Sequence, residues 1–169
     1  MFRSSLACAA VLLTIGSVLA GCGGGSSVDP AAYKASVYTD WPQLKKHKQV
    51  EGWDESAWRD PAYTYVIITI DSRAADETGS PLQNAQLARI QTTKLHGYKE
   101  RGMRWIRLGG KPAVRWSFDM GEQANIRWFF EECGVAFVVR GTTGLYGFQA
   151  LSESMREMAA TIKVDGCDE

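Results

Sequence analysis

Four short runs of alternating residues, joined by turn-forming sequence, constrain the fold of this chain more than any other feature. They cover residues 102–108, 113–120, 125–132 and 135–140. In the second run the alternation is unbroken, with single intervening residues between Val114, Trp116, Phe118 and Met120. A period of two indicates half-buried β-strands. Since the connections are short and the first contains Gly109-Gly110, the runs predict a four-stranded antiparallel meander.

Helical patterns and one further strand flank the meander. Residues 63–70 (YTYVIITI) are rich in β-branched and aromatic residues and predict a strand buried on both faces. Ser80-Pro81 suits the start of a helix that runs to about His96. A regular apolar stripe predicts a last helix over residues 148–162.

The preceding segment is less regular. Asp40 is a candidate N-cap for a short helix over residues 41–48, and residues 51–61 are rich in turn formers. The whole pattern predicts an α+β fold, with an antiparallel sheet of about five to six strands flanked by helices. Residues 31–169 are expected to form one domain, which is the natural prior for a chain of 169 residues.

The N-terminal residues predict export rather than a place in the fold. Residues 6–20 (LACAAVLLTIGSVLA) are uncharged, largely apolar and too short for a typical membrane-spanning helix. They end in Leu19-Ala20-Gly21-Cys22, which resembles the bacterial lipobox. The resemblance implies that residues 1–21 are a signal peptide and that Cys22 carries a diacylglyceryl anchor. An ordinary signal peptide with a chance cysteine is the alternative.

The residues after Cys22 suit an anchored protein. Residues 22–30 include the run Gly23-Gly24-Gly25-Ser26-Ser27, a flexible tether between a lipid and a folded domain. We therefore expect a location in the bacterial cell envelope, lipid-anchored on the extracytoplasmic side of the membrane, with stable anchoring by the acyl chains. The 19 basic and 19 acidic residues balance, which argues against a nucleic-acid partner.

Several of these features are similar to the PsbP-like fold. A turn-rich segment with Trp53 and Trp58 precedes the first strand, the first helix contains Asn84-Ala85, and Gly110-Lys111-Pro112-Ala113 opens a strand. The last helix ends near Ile162-Lys163-Val164. Over about residues 52–164 the chain resembles this fold, which is shared by photosystem oxygen-evolving subunits, Ran-binding Mog-type proteins and bacterial lipoproteins of the LpqN type. The resemblance implies an α/β/α sandwich and a binding or assembly role.

Two cysteines, Cys133 and Cys167, remain in the predicted domain. In an exported protein such a pair predicts a disulfide, which would tie a hairpin turn to the C-terminal tail. Two unpaired thiols are the alternative. A redox-active pair is disfavoured because the chain has no C-x-x-C motif.

Catalytic motifs are missing from the sequence. It has no G-x-S-x-G, S-x-x-K, H-E-x-x-H or P-loop pattern. His47 and His96 are the only histidines, and a solvated face and a helix end account for them. The turn at residues 141–144 offers backbone amides to an anion, or is simply a strand-to-helix turn. We expect no catalytic residue, cofactor or metal.

The segment from Lys94 to Arg115 has the strongest charge imbalance, with seven basic residues and one acid, Glu100. If the meander strands are neighbours, Arg107, Arg115 and Arg127 are predicted to form a cross-strand basic band beside Trp105. Arginines in such a band suit an acidic partner, a lipid phosphate or an anionic glycan. A solvated sheet face, neutralised by nearby acids, is the alternative.

Two functions from different classes remain open. The favoured one is a non-catalytic binding or assembly module for an envelope protein or an anionic ligand, acting through the basic band and the tryptophan-rich segment with Trp53 and Trp58. Packing in the core or at an edge is the alternative role for these tryptophans. The second function is a small envelope hydrolase or lipid-handling protein with a pocket between sheet and helix.

Overall fold

The computed structural model describes residues 35–37, 40–50, 53–63, 65–165 and 167. Two helices are present in these ranges, α1 (Pro81–Thr92) and α2 (Phe148–Ala160). The strands are β1 (Ala35–Val37), β2 (Gln43–Val50), β3 (Trp53–Arg59), β4 (Ile67–Ala74), β5 (Tyr98–Leu108), β6 (Lys111–Met120), β7 (Gln123–Glu132), β8 (Val135–Gly144) and β9 (Ile162–Val164).

Seven of these strands form one antiparallel sheet in the order β2-β3-β4-β8-β7-β6-β5. Strands β1 and β9 pair separately as a two-stranded sheet. The predicted α+β class and antiparallel sheet are therefore confirmed, with seven strands in the main sheet rather than five to six. Neither of the described helices is long and apolar enough to cross a lipid bilayer.

The predicted meander is strands β5 to β8, each longer than its sequence pattern indicated. Gly109 and Gly110 connect β5 to β6 with φ values of 57° and 87°. Cys133 and Gly134 connect β7 to β8 with φ values of 50° and 73°. Two central residues with positive φ are the requirement of a type I′ turn, whose twist matches that of paired strands. The hairpins fix the register that decides which side chains share a face.

Each face of the sheet has its own hydrophobic cluster and its own helix. On one face, Trp116 packs with Ala85 of α1. On the other face, Trp128 packs with Leu151 and Met155 of α2. We call these the α1 face and the α2 face.

A glycine on β8 allows α2 to lie close to the sheet. A Cβ atom added at Gly141 would come within 2.6 Å of both Leu151 Cδ1 and Met155 Sδ. Real Cβ atoms do not approach neighbours so closely, so a larger residue here would force the Leu151 and Met155 side chains to move. The close approach also sets how far the first turn of α2 stands from the neighbouring strands.

Three local predictions before α1 were wrong. Residues 41–48, predicted as a helix, lie mainly on β2, and the turn-rich residues 51–61 contain β3. The predicted strand at 63–70 begins later, as β4. Asp60 explains the shift, because its Oδ1 accepts hydrogen bonds from the backbone N–H groups of Ala62 and Tyr63 and holds a turn there.

The same aspartate connects this turn to α2. Asp60 is buried, and its Oδ2 accepts a 2.5 Å hydrogen bond from the Ser154 hydroxyl. Helix α1 is also shorter than predicted, since it ends at Thr92 and leaves His96 exposed in a turn. Its predicted start is confirmed, with Ser80 and Gln83 forming a capping box.

Cys133 and Cys167 form a disulfide, with their Cα atoms 6.0 Å apart. The bond joins the β7–β8 turn to the segment that follows β9, as the sequence indicated. The signal peptide at 1–21, Cys22 and the tether at 22–30 all lie outside the described residues. They remain predictions.

Candidate functional site

The basic band predicted from the sequence does not form as one surface. Arg127 on β7 pairs with Trp116, which places it on the α1 face. Arg115 on β6 pairs with Trp128, which places it on the α2 face. Arg107 alternates with Ile106, whose partner is Ala113, so Arg107 lies on the α1 face with Arg127. The band is therefore wrong, since the sheet separates Arg115 from the other two arginines.

The error came from the aromatic stripes that flank these arginines. The predicted band assumes that the aromatic stripes of β6 and β7 face the same side of the sheet. Arg115 and Arg127 would then share the opposite side. In the register of the sheet, the Trp116 stripe faces α1 and the Trp128 stripe faces α2. A sheet covered on both faces buries both stripes, so the sequence pattern does not reveal which one points where.

The other predicted band residues lie at the exposed edge of the α1 face. Trp105 is 57% exposed. Arg107 is exposed, and its Nη1 donates a hydrogen bond to the Gly110 carbonyl oxygen at 2.9 Å.

The two tryptophans of the predicted binding segment, Trp53 and Trp58, differ in burial. Trp58 is buried in the core of the α2 face with 8% exposure, which favours packing, the alternative role, over ligand binding. Trp53 is half-buried at the start of β3, where it pairs with Val50. The turn predicted at 141–144 is the end of β8, and a short 3-10 turn at residues 145–147 separates it from α2.

A groove on the α2 face contains Arg115 and is the candidate site. It lies between the first turn of α2 and strands β5 and β6, with a volume of about 500 Å³. This falls within the usual range for small-molecule sites. We call it the arginine groove, and its lining residues are Arg101, Gly102, Met103, Arg104, Arg115, Ser117 and Phe148.

A β-bulge brings Arg101 into this groove. Glu100 pairs with Phe118 and Gly102 with Ser117, which leaves Arg101 as an extra residue on β5. Gly102 has a φ of 149°, a conformation that glycine adopts readily. Bulges commonly redirect a side chain beside a functional site. Here the redirected guanidinium reaches the α2 face.

The Phe148 ring is a platform for two guanidinium groups. Arg101 Cζ lies 4.5 Å from the ring centroid, and Arg115 Cζ lies 5.3 Å from it. Both distances suit cation–π attraction. Arg101 is further fixed by Asp119, whose Oδ1 accepts a 2.6 Å hydrogen bond from its Nε. The platform holds both side chains in place without a ligand.

Arg115 has no acidic partner among the residues that the structure describes. Its Nε is buried and makes no hydrogen bond. Burial lowers the pKa of Arg115, and the charges of Arg104 and Arg156 lower it further. Arg104 is its direct cross-strand neighbour on β5, and Arg156 lies on α2. The charges that act on this guanidinium are therefore cations.

The charge of the groove is unbalanced as a result. None of its seven described lining residues is acidic. Of the three arginines that line the groove, Arg101 alone forms an ion pair with a described residue, Asp119. Arg104, Arg115 and Arg156 retain their positive charges without compensation. Guanidinium groups donate in a fork that matches carboxylate and phosphate oxygens. The arrangement can bind an anion.

Arg140 on the α1 face has the opposite environment. Nη2 of Arg140 donates to Glu55 Oε2 at 2.5 Å and to Asp71 Oδ1 at 2.7 Å. Burial lowers the pKa of Arg140, but the two carboxylates outweigh it and raise the pKa overall. Burial and the charge of Arg140 lower the pKa of Arg127 to about 10, against the attraction of Asp71. Two acids thus bind Arg140, and one of them, Asp71, also attracts Arg127.

Other chemistry is sparse in the described part of the chain. No group of three or more His, Cys, Asp or Glu side chains there is arranged to hold a metal ion. In the groove, the one hydroxyl is that of Ser117, which donates to the Gly102 carbonyl oxygen at 3.4 Å. The groove is therefore rich in hydrogen-bond donors and contains no histidine or carboxylate among its lining residues.

Sequence reasoning found Arg115 and missed its companions. Arg101 and Arg104 fall within the basic segment of residues 94–115, and Phe148 begins the apolar stripe of the last predicted helix. The Arg101-Gly102 pair carried a usable signal, because glycine inside a strand often marks a bulge. Arg156 had no signal, since its proximity to Arg115 depends on how α2 packs on the sheet.

Comparison with known proteins supports the fold. No protein-family model matches the chain, and no curated protein matches it. The solution structure of cyanobacterial PsbP from Synechocystis sp. PCC 6803 is similar, with a TM-score of 0.52 and 13% identity over 86% of this chain and 98% of that one. The crystal structure of LpqN, involved in cell envelope biogenesis of Mycobacterium tuberculosis, matches with a TM-score of 0.45 and 17% identity over 78% of this chain and 82% of that one. The likeness to PsbP shows that the fold is PsbP-like, and it shows the fold alone.

Proposed function

We propose that this protein is a lipid-anchored envelope module that binds an anionic ligand in the arginine groove and catalyses no reaction. The observation that carries the proposal is Arg115, a guanidinium with an enclosed, unpartnered Nε beside two further unpaired cations. A buried charge without a partner costs stability. Such a cost is expected where binding of a ligand supplies the missing charge.

The lining of the groove supports binding rather than catalysis. Arginines bind and orient anions but remain protonated, so they are poor general bases. The Ser117 hydroxyl faces a backbone carbonyl, and no histidine lines the groove to activate it. We therefore favour the binding module over the small envelope hydrolase.

The membrane anchor belongs to the same proposal. Cleavage before Cys22 would remove 21 of the 169 residues and leave 148. Attached acyl chains would hold the domain beside the outer surface of a membrane, where anionic lipids, glycans and proteins are available. Intact mass spectrometry of the protein extracted gently from its own membranes tests the anchor. A mass matching residues 22–169 plus acyl chains is expected, and cleavage elsewhere without lipid would refute it.

Calorimetric titration of the same purified protein with citrate tests the groove. Citrate is a small polyanion that Arg104 and Arg115 can bind together. We expect saturable binding that weakens at least about tenfold in Arg115→Met, because a hydrogen bond to a charged group contributes about 1.5–3 kcal/mol. Arg107→Met is the matched control, since Arg107 lies on the opposite face. Equal weakening in both variants, or no binding to the native protein, would overturn the groove as the site.

A further inference from the structure

Strand β5 forms one edge of the main sheet and one wall of the arginine groove. Among the described strands it pairs with β6 alone, so the backbone N–H and C=O groups on its other side point away from the sheet. Beyond the bulge at Arg101, its pairing with β6 is regular over the seven residues from Gly102 to Leu108. This length exceeds that of a typical strand, about five to six residues. The edge is therefore long enough to pair with a further strand.

The two faces of the sheet have different chemistry along this edge. On the α1 face, Trp105 lies opposite Val114 and is 57% exposed. On the α2 face, Arg104 lines the arginine groove together with Arg115. Successive side chains of a strand point to opposite faces. A strand added beside β5 would therefore place alternate side chains against the Trp105 ring and at the groove.

The charge of β5 determines which kind of strand fits. Its one acid, Glu100, is half-buried and forms an ion pair with Arg89. The exposed charged residues of the strand are all basic, and they are Lys99, Arg101, Arg104 and Arg107. A second copy of this chain would bring four such cations against four others, and like charges on paired strands are destabilising. An acidic segment gives attraction instead.

We infer that the anion taken by the arginine groove is an acidic side chain of an extended segment of another protein, which pairs antiparallel with β5 as an eighth strand. Acidic residues of the segment face Arg104 and the groove, and the apolar residues between them pack on Trp105. This inference rests on the proposed function, because it names the partner that supplies the anion. Backbone hydrogen bonds give such strand addition its affinity, and alternate side chains give it specificity.

Two capped heptapeptides, EVEVEVE and KVKVKVK, test the charge. Both have alternating valines and the length of the regular part of β5. Calorimetry of the full-length lipidated protein in detergent should show saturable binding of EVEVEVE, at least about tenfold tighter than that of KVKVKVK, because hydrogen bonds between charged groups are the stronger ones. Equal affinities, or no binding of EVEVEVE, would overturn the inference.

Two N-methylated forms of EVEVEVE test the backbone pairing. One form has methyl groups on the backbone nitrogens of two glutamates, and the other has them on two valines. Successive N–H groups of an extended chain point to opposite edges, so only one form blocks the edge that faces β5. Side chains and net charge are the same in both. We expect their affinities to differ by at least about tenfold, the effect of losing backbone hydrogen bonds that cannot be replaced. Equal affinities would refute strand addition.

The variant Trp105→Ser tests the apolar half of the contact, with Leu87→Ser as its matched control. Leu87 lies on α1 with 58% exposure, close to the 57% of Trp105, so both variants are expected to fold, as a thermal melt will show. Trp105→Ser should weaken EVEVEVE binding by about threefold to fivefold, as for loss of an aromatic–β-branched cross-strand pair. Leu87→Ser should leave it unchanged. Equal affinities of the two variants would contradict the contact with Trp105.

Citrate separates this inference from the proposed function. Trp105 lies on the face opposite the groove, so Trp105→Ser should bind citrate as the native protein does. If citrate binds and the two N-methylated peptides bind equally, the anion-binding function stands and the inference fails. If neither citrate nor EVEVEVE binds, both fail. If citrate does not bind while the N-methylated peptides differ, the pairing with β5 is supported and the anion-binding groove is refuted.

Discussion

Arg140 and Arg115 occupy the same sheet, separated by β7, yet their surroundings are opposite. Arg140 is held between Glu55 and Asp71 on the α1 face. Arg115 lies on the α2 face, where the charges that act on it are those of Arg104 and Arg156. The first arrangement is complete within the chain and contributes to the fold. The second lacks an acidic partner among the described residues, and this difference is the basis of the proposed ligand site. The charge balance around an arginine is therefore more informative than its burial.

Removal of Arg140 should have the largest effect on stability. Arg140→Met removes the guanidinium that Glu55 and Asp71 share, and these two side chains are 15% and 12% exposed. We expect the free energy of unfolding to fall by about 3 kcal/mol, the low end for breaking a buried pair, because Arg140 itself is 38% exposed. Chemical denaturation measures the change. A loss no larger than that of the exposed Arg107→Met would contradict the structural role.

Neutralising the stranded acids should reverse most of that loss. In the triple variant Arg140→Met, Glu55→Gln, Asp71→Asn, both carboxylates that Arg140 binds are neutralised together with its removal. We expect recovery of about 2 kcal/mol relative to Arg140→Met, since replacing all partners is far less harmful than removing one. If denaturation shows no recovery, lost packing of the Arg140 stem rather than stranded charge explains the single variant.

The sequence alone does not show most of the difference between the surroundings of Arg140 and Arg115. The meander, both helices, the disulfide and the fold class were predictable because they depend on periodicity, caps and turns that lie close together in the chain. Glu55 and Arg140 are 85 residues apart, and β3 itself was missed because its sequence, WDESAWR, lacks β-branched residues. The face of Arg115 depended on the register between β6 and β7, which the two aromatic stripes left ambiguous.

An acid in place of Arg104 should give Arg115 an acidic partner within the chain, as Arg140 has. Arg104 and Arg115 are direct cross-strand partners, so Arg104→Glu gives Arg115 a carboxylate neighbour. A cross-strand pair of opposite charge contributes about 0.2–1 kcal/mol, and unfolding should become harder by that order. Citrate binding should disappear in calorimetry. The free energy of unfolding of Arg104→Gln should lie between those of the native protein and Arg104→Glu, because this variant removes the repulsion but forms no ion pair.

Removal of Arg115 should give a gain in stability of similar size. Arg115→Met keeps most of the aliphatic stem against Phe148 and removes a charge whose pKa is lowered by burial and by two cations. The free energy of unfolding should rise by up to about 1 kcal/mol, as is common when a functional site is made inert. A loss of stability in denaturation would show that Arg115 serves the fold as Arg140 does.

The most direct measurement is the free energy of unfolding of the native protein and of Arg104→Glu, each with and without saturating citrate. Ligand bound only by the folded state stabilises it by about 2.7 kcal/mol at a hundred times its dissociation constant. The native protein should gain stability of this order, and Arg104→Glu should gain none while remaining at least as stable as the native protein without ligand. An equal gain in both proteins, or none in the native one, would contradict the assignment of the arginine groove as an anion-binding site.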